Sequence, residues 1–551
     1  MATPKKLAKQ RKKGVSPKSA SDLAGRLTQA VNDQSISALQ ATEKPELVFG
    51  LVGPIGVDLE PIITAITQSI SVAGYEVIPI HLSKLIGEVF DLDTKGKPED
   101  ERIELLMRAG TLLRKKSGLG EAVALLGVSE IADMRRAKRN NEEAGTAFIL
   151  RSLKHPEEVE KLRAIYGRGF ILISVYSPRD VRVAALADRI TRSKFSDKNN
   201  SRARAEGLVE IDESEESTPL GQDVRDAFPL ADFFVDGRNV DVIRKEVRRF
   251  LHLLLGNRFL TPTRDEHGMY LARSAALRSA DLNRQVGAAI VRDRGEVLTI
   301  GCNDVPKAGG DQYWEDDVHD ARDFKRGMDS SAQQKVLVLS ELLSRLKKAD
   351  LLVEKDITTE IGKLVESLIS GELASVLKGS SIVNLLEFGR SVHAEMAAIT
   401  SAARLGISIE GATIYCTTFP CHMCARHIVA SGIKKVVYVE PYPKSRAEQL
   451  HADSIAIDPL ATTEEHVNFV PFKGVAPRQY QNIFDAGDLR KNARGQVADW
   501  KMTTGNVRFQ RYMNTYRAIE AKIDLDAIPL LKNIGILFRS ELLQTYKSRK
   551  S

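Results

Sequence analysis

The sequence predicts an α/β protein with two sheet-containing domains joined in one chain. Apolar runs of strand length alternate with helical patterns in two separate blocks of the chain. The first block contains ELVFGLVGPIG, YEVIPIHL, TAFILRSL, GFILISVYS and ADFFVDG, and the second contains QVGAAIVRD, EVLTIGCN, ATIYCTTF and KKVVYVE. Strands that alternate with helices favour parallel sheets with helices packed on them.

Composition divides the chain into four predicted segments. Residues 1–44 form a basic tail and linker, and residues 45–257 form the first α/β domain. Residues 258–485 form the second domain, which a charge-rich, helical insertion interrupts at about 308–390. Residues 486–551 form a basic C-terminal extension.

The charge of the 551-residue chain is concentrated at its N-terminus. The net charge is +7, and the first twenty residues hold seven Lys or Arg and no acid, so the remainder is balanced. The folded body therefore lacks the positive field of a dedicated nucleic-acid binder. The tail is either a solubilising arm or a contact for RNA, DNA or anionic lipid. The sequence has no apolar run of membrane-spanning length and no apolar N-terminal segment, so we expect a cytoplasmic protein whose folded body has no membrane contact.

Two of the four cysteines, Cys421 and Cys424, stand three residues apart, downstream of His393. Four cysteines in so long a chain do not make a disulfide framework, and metal binding is the better interpretation. Residues three apart share a helix face, and Pro420 suits a helix start. Thiolate and imidazole are the donors that zinc prefers, and a catalytic zinc takes three protein ligands. Cys302 lies in an apolar, strand-like run, as does Cys416, and we expect both to be core residues.

Glu395 follows His393 by two residues, which in mid-helix would point the two side chains about 200° apart. We therefore expect His393 at the entry of its helix. H-x-E followed by P-C-x-x-C is the signature of zinc nucleobase deaminases, in which the Glu carries protons. A redox-active Cys pair and a structural zinc site are the alternatives.

Four stretches in the second block resemble the deoxycytidylate deaminase family: AALRSADLNRQVGAAIV, GCNDVPKAGGDQYW, VHAEMAAI and TTFPCHMCARHIVASGIKKVVY, within about residues 262–480. The resemblance implies one catalytic Zn²⁺ per chain on His393, Cys421 and Cys424, with Glu395 as the catalytic proton carrier. It also implies a substrate pocket at Arg278, Gln285, Asn303 and Ala394, with Asn303 toward the sugar. Arg278 and Gln285 could equally be structural contacts. Leu282 and the Cys302-Asn303-Asp304 triplet depart from the family pattern.

The tRNA adenosine deaminases share HAE and PCxxC and are the main enzymatic rival. They usually carry Glu before the Pro-Cys, whereas this chain carries Phe419. That residue and the neutral body favour free pyrimidine deoxynucleotides over RNA.

The first domain begins with a glycine-rich turn that lacks the phosphate-binding lysine. Gly50, Gly53 and Gly56 are candidate nucleotide-binding positions, but Leu59 stands where a phosphate-binding loop needs Lys. Phosphoryl transfer is therefore not expected, whereas altered nucleotide binding and pure scaffolding both remain open. The domain resembles a P-loop nucleotide kinase. The predicted fold is thus a degenerate P-loop-kinase-like parallel-sheet domain followed by a cytidine-deaminase-like α/β/α domain with a helical insertion.

This combination resembles the bacterial anti-phage deoxycytidine nucleotide deaminases. The resemblance implies conversion of dCTP and dCMP to dUTP and dUMP, which starves phage replication of dCTP. It implies a homo-oligomer, with a regulatory small RNA or an allosteric nucleotide as a further partner. A housekeeping deoxycytidylate deaminase for thymidylate supply, and an RNA or nucleotide sensor with a vestigial deaminase domain, are the alternatives.

Overall fold

The computed structural model describes most of the chain after residue 43. It covers residues 44–138, 145–194, 198–213, 215, 220–352, 360–377, 380, 382, 388–440, 445–459, 463–486, 490–505, 507 and 513–548. The predicted basic tail lies outside the described residues except at its last position, Lys44.

The secondary structure follows the predicted alternation. The strands are β1 Leu47–Val52, β2 Tyr75–His81, β3 Gly145–Arg151, β4 Phe170–Tyr176, β5 Phe233–Asp236, β6 Gly287–Val291, β7 Val297–Cys302, β8 Thr413–Thr418, β9 Lys435–Glu440, β10 Ile455–Ile457, β11 Val467–Pro471 and β12 Gly474–Val475. The helices are α1 Glu60–Ser71, α2 Leu82–Val89, α3 Glu99–Ser117, α4 Ala122–Ala137, α5 Pro156–Tyr166, α6 Arg179–Lys194, α7 Lys198–Glu213, α8 Val224–Ala227, α9 Val240–Leu254, α10 Arg264–Ala276, α11 Asp323–Arg326, α12 Ser330–Lys348, α13 Ile361–Ile369, α14 Ala374–Leu377, α15 Ala394–Leu405, α16 His422–Ala430, α17 Ala447–Leu450, α18 Tyr480–Phe484 and α19 Met513–Ser548.

The first sheet has the order β12-β5-β4-β1-β3-β2, in which every pair is parallel except β12 with β5. Its central strand β1 is buried at every position. Alternate residues of β1 enter two different apolar clusters, with Val48 in one and Phe49 in the other. Helices therefore cover both faces of this sheet, as is usual for parallel sheets.

The second sheet has the order β10-β11-β9-β8-β6-β7. Strand β6 pairs antiparallel with β7 and β8, and the remaining pairs are parallel. Ile290 of β6 packs in a cluster with residues of α15 and α16, whereas Ala289 packs with residues of α10 on the other face. Helices α11 to α14 belong to the predicted insertion between β7 and α15. The mixed α/β architecture that the sequence predicts is confirmed.

The two α/β units interlock. The two-residue strand β12 follows the second sheet in sequence but pairs with β5 of the first. Phe472, just before β12, packs edge-on against Phe234 of β5 at a ring-centroid distance of 5.7 Å. The long C-terminal helix α19 packs on α4 and α3 of the first unit. The predicted domain boundaries at residues 257 and 485 stay predictions. Strand β12 lies beyond the first boundary and helix α19 beyond both, and each contacts the first unit.

Helix α19 approaches α2 very closely at Gly535. A Cβ at this position would lie 2.0 Å from the carbonyl oxygen of Val89, which is a backbone atom that no side-chain rotation can move. Only glycine allows this approach. At the other end of α19, Glu520 pairs with Arg135 and accepts a hydrogen bond from the Tyr166 hydroxyl at 2.8 Å. Among the described helices, none combines the length and the apolarity needed to cross a bilayer.

Candidate metal centre

His393 lies at the entry of helix α15, as the sequence predicts. It is the N-cap residue, with φ −64° and ψ 153°, so its backbone is extended while Ala394 begins the helix. This break in helical geometry allows His393 and Glu395 to approach the same place. The helix start is fixed against β7, because a Cβ on Gly301 would lie 2.4 Å from the Ala394 carbonyl oxygen.

Cys421 and Cys424 come from the loop and first turn that follow β8. Cys421 is the extended N-cap of α16, directly after Pro420, and Cys424 lies one turn into the helix. The Nδ1 atom of His393 is 3.3 Å from the Cys421 Sγ and 3.4 Å from the Cys424 Sγ. The three donor atoms all lie within 4.8 Å of one another, so one ion can contact all of them.

The donor set fits zinc. One imidazole nitrogen and two sulfurs are the soft and borderline ligands that zinc prefers. Both cysteines are buried, with Cys424 only 1% exposed. Hydrogen bonds from Cys424 and His393 lower the pKa of Cys421 to about 4, so this thiol is held as the thiolate that binds metals. The same contact with Cys421 raises the pKa of His393 to about 9.

The other two cysteines are core residues, as predicted. Burial raises the pKa of Cys302 to about 11 and that of Cys416 well above its ordinary value. Cys302 contacts the Gln312 side-chain oxygen at 3.2 Å. Among the described residues, His393, Cys421 and Cys424 form the one group of three or more His, Cys, Asp or Glu side chains that could hold a metal. The set is thus a three-ligand centre, which is typical of catalytic zinc and not of structural zinc.

Glu395 lies in the first turn of α15 and is 4% exposed. Burial, and then the charge of Cys421, raise its pKa. A buried carboxyl group with a raised pKa holds a proton more readily than an exposed one, and this suits a residue that takes up and releases a proton. Glu395 does not belong to the group of three metal-binding side chains. This is consistent with the prediction that Glu395 carries protons and does not bind the metal.

Asn303 and Gln285, two of the predicted pocket residues, make backbone hydrogen bonds in the segment before β6. Asn303 accepts a bond from the Val286 amide and donates one to the Arg284 carbonyl, both at 2.7 Å. Gln285 donates to the Ser279 carbonyl at 2.8 Å. These bonds fix the loop against the end of β7. Contact of Asn303 with a sugar stays a prediction.

Arg278 anchors the start of the insertion. Its guanidinium stacks on Trp314, 3.6 Å from the ring centroid, and donates to the Gln312 carbonyl at 3.1 Å. These contacts are those that the structural interpretation of Arg278 expects, and contact of Arg278 with a ligand stays a prediction. Ala394 is fully buried at the start of α15, against Gly301, so its side chain packs in the core.

Sequence reasoning missed two contacts that hold the segment leading into His393. Ser391 donates to the Asp281 carboxylate at 2.7 Å, and Val392 forms an antiparallel bridge with Asp304. Asp281 and Asp304 belong to the quoted stretches that resemble the deaminase family, but their partners lie about a hundred residues away in sequence. Only the folded chain shows that they position the metal ligand.

Gly301 is expected to control the placement of α15. In Gly301→Ala the new methyl would overlap the Ala394 carbonyl oxygen and the Ala398 amide nitrogen, at 2.4 and 2.5 Å. The helix must then shift, and we expect a loss of roughly 1–3 kcal/mol in the free energy of unfolding together with reduced zinc content. Gly362→Ala in α13 is the control, because no atom of the described residues outside the backbone of that helix lies within 4 Å of a Cβ there. Denaturant unfolding and zinc analysis measure both effects; equal behaviour of the two variants would contradict this role.

Comparison with known proteins identifies the region that holds this centre. Residues 262–440 match the family model described as "Cytidine and deoxycytidylate deaminase zinc-binding region". Zinc is therefore the cofactor of this site. The match includes all four residues of the predicted signature, and it confirms the deoxycytidylate deaminase resemblance for this part of the chain.

Individual relatives match shorter stretches. The chain is 58% identical over 55 residues to the deoxycytidylate deaminase of Enterobacteria phage T2, which covers 10% of this chain and 29% of that protein. It is 34% identical over 137 residues to a UPF0200 protein of Methanosarcina mazei, covering 24% of this chain and 64% of that protein. The crystal structure of the dCMP deaminase of cyanophage S-TIM5 aligns with 38% of this chain and 99% of its own, at 17% identity and a TM-score of 0.20. The chain thus spans less than a third of the phage T2 protein.

Proposed function

We propose that the protein is a zinc-dependent hydrolytic deaminase of free deoxycytidine nucleotides. It converts dCTP, dCMP or both to the corresponding deoxyuridine nucleotide and ammonia, and it does so in defence against phage. The observation that carries the proposal is the convergence of His393, Cys421 and Cys424 beside the buried carboxyl group of Glu395.

The chain supplies both the metal ligands and the proton carrier that this reaction requires. His393, Cys421 and Cys424 would hold zinc, which would supply the Lewis acidity that makes water a nucleophile toward C4 of the cytosine ring. Glu395 takes up the proton that the water loses and delivers it to the ring nitrogen N3. Glu395 then carries the proton of the new C4 hydroxyl group to the amino group; the C4–N bond breaks, ammonia leaves, and a carbonyl oxygen remains at C4.

The surroundings of Glu395 favour this role. Its pKa is raised by burial, so it holds a proton more readily than an exposed glutamate does. The closeness of His393 at the helix entry lets Glu395 act beside the ligand set without belonging to it. An intact ligand set and a buried carboxyl group argue against a vestigial site that only senses nucleotides.

A comparison of four substrates tests the proposal. Purified protein is incubated with dCTP, dCMP, CTP and an RNA hairpin that presents unpaired adenosine and cytidine, and the products are separated by chromatography. We expect a uracil product from dCTP, dCMP or both, and much less from CTP and RNA. Deamination of the hairpin alone would favour the RNA-editing alternative. No product from either deoxynucleotide, in protein that contains zinc, would overturn the proposal.

Defence is tested in cells. Expression of the protein should lower phage yield and the cellular dCTP pool after infection, and the Glu395→Gln variant should do neither. Equal protection by the variant would contradict a defence role for deamination. Cytoplasmic location stays a prediction from the sequence composition. A homo-oligomer and control by a small RNA or an allosteric nucleotide stay predictions from the resemblance.

A further inference from the structure

The glycine-rich loop after β1 already binds an anion from its own chain. The loop lies at the carboxyl end of the central strand of the first sheet, which is where parallel α/β sheets bind ligands. The Ile55 amide donates to the Oδ2 atom of Asp212 at 2.7 Å, across 157 residues of sequence. Asp212 lies near the end of α7 and is 1% exposed, so a fully buried carboxylate lies against the loop.

A lysine from a neighbouring strand completes this contact. Lys154 follows β3, the strand next to β1, and its Nζ is 2.7 Å from Oδ1 of Asp212 and 2.9 Å from the Gly53 carbonyl oxygen. The loop itself carries Leu59 where a phosphate-binding loop carries Lys. Lys154 therefore supplies, from another element, the positive charge that the loop sequence lacks.

Arg182 of α6 adds a buried hydrogen-bond donor with an open position. Its Nε donates to the Ser177 carbonyl, and its Nη2 pairs with Glu213 at 2.7 Å. Its Nη1 is buried and has no hydrogen-bond partner among the described residues. Arg182 packs directly on the loop, since a Cβ on Gly56, whose φ is +94°, would lie 2.5 Å from the Arg182 carbonyl oxygen. A buried guanidinium N–H without a partner is costly, and Arg182 therefore holds an unused donor on an element that packs against the loop.

The helix that follows the loop does not provide this site. The side chain of Asp58 accepts from the Glu60 amide at 3.0 Å, and Glu60 pairs with Arg151. The start of α1 thus already has one carboxylate in its first turn, Glu60, and one just before the helix, Asp58. The anion position is defined instead by the Ile55 amide and Lys154, the two groups that hold the Asp212 carboxylate.

We propose that the loop after β1 binds a phosphate group of a small-molecule ligand, and that the Asp212 carboxylate occupies this position when no such ligand is bound. A backbone amide and a lysine around a carboxylate form the same arrangement that binds a phosphate oxygen. A phosphate-bearing ligand competes with Asp212, and its binding frees the end of α7 from the loop. Gly50 takes no direct part, because it lies within β1 and packs against Leu153 and Phe170.

Removal of the competing carboxylate tests the proposal. The Asp212→Asn substitution keeps the shape of the side chain but removes its negative charge. Lys154 is then available to bind another anion. We expect the variant to bind sodium tripolyphosphate at least about tenfold more tightly than the unaltered protein in isothermal titration calorimetry, because the competing state is removed. In the double variant that also carries Lys154→Ala, this gain in affinity for tripolyphosphate should be abolished. Glu210→Gln is the matched control, because this carboxylate lies on the same helix, is exposed, and pairs with Arg179.

Every outcome of this experiment decides the proposal. Equal affinities of the Asp212→Asn, Glu210→Gln and unaltered proteins would overturn it, as would a gain that survives Lys154→Ala. If Asp212→Asn does not fold, hydrogen exchange of the unaltered protein is followed during titration with tripolyphosphate. Faster exchange in α7 is then expected, and unchanged exchange up to millimolar ligand would overturn the proposal. The readout is anion binding, so it is independent of deaminase activity.

Discussion

Glu395→Gln is expected to lower the turnover of deoxycytidine nucleotides by about 10²–10⁴-fold, which is the usual contribution of a positioned acid–base group. The substituted amide has nearly the same shape and can fill the same buried position, but it can neither accept nor release the proton that the reaction moves. Glu395 is outside the ligand group, so the variant should retain zinc. Steady-state assays with dCMP and dCTP, together with zinc analysis of the same preparation, measure both quantities.

The control for this variant is Glu296→Gln, which makes the same chemical change at an exposed residue between β6 and β7. It should leave turnover and zinc content unchanged. Full activity of Glu395→Gln would refute the proton-carrying role. Loss of both zinc and activity would instead assign Glu395 to metal binding.

Cys424→Ser is expected to lose zinc, and with it all measurable deamination. Cys424 is 1% exposed and its Sγ lies 3.4 Å from the His393 Nδ1, so the sulfur is central to the ligand set. A serine hydroxyl stays protonated and is a poor replacement for a thiolate. Because zinc binds the folded state, its loss also lowers the free energy of unfolding. A ligand present at a hundred times its dissociation constant adds about 2.7 kcal/mol to that free energy.

Thermal unfolding separates this effect from ordinary core damage. A chelator should lower the melting temperature of the unaltered protein and leave that of Cys424→Ser unchanged. Cys302→Ala serves as the matched cysteine control, since Cys302 is a core thiol outside the centre, and this variant should retain one zinc per chain. Retention of zinc by Cys424→Ser, or its loss in Cys302→Ala, would contradict the assigned ligand set.

Local sequence patterns predicted strands β1 to β9 but not β10 to β12, and they did not predict how the two units join. Runs such as residues 47–52 are apolar at successive positions, and this is typical of a strand buried on both faces. Strand β12 is only Gly474–Val475, and it pairs with residues more than 230 positions earlier, so no local period marks it. The docking of α19 depends on one glycine at its contact with Val89, which sequence alone does not distinguish from other glycines.

The candidate site was predictable because its ligands follow fixed spacings. The separation of Cys421 and Cys424 places two sulfurs on one helix face, and the two-residue separation of His393 and Glu395 predicts the break at the entry of α15 that the structure contains. The residues that support the site were not predictable in the same way. Asn303 and Arg278 make backbone and stacking contacts that depend on how distant loops meet. For the same reason, the pairing of Lys154 with Asp212 has no signal in the sequence.

X-ray absorption spectroscopy at the zinc edge of the purified protein measures the ligand set on which the proposed chemistry depends. We expect one zinc per chain with two sulfur donors and one imidazole nitrogen from the protein, and the loss of one sulfur or of the metal in Cys424→Ser. Three or four sulfur donors, or active protein that contains no zinc, would contradict it.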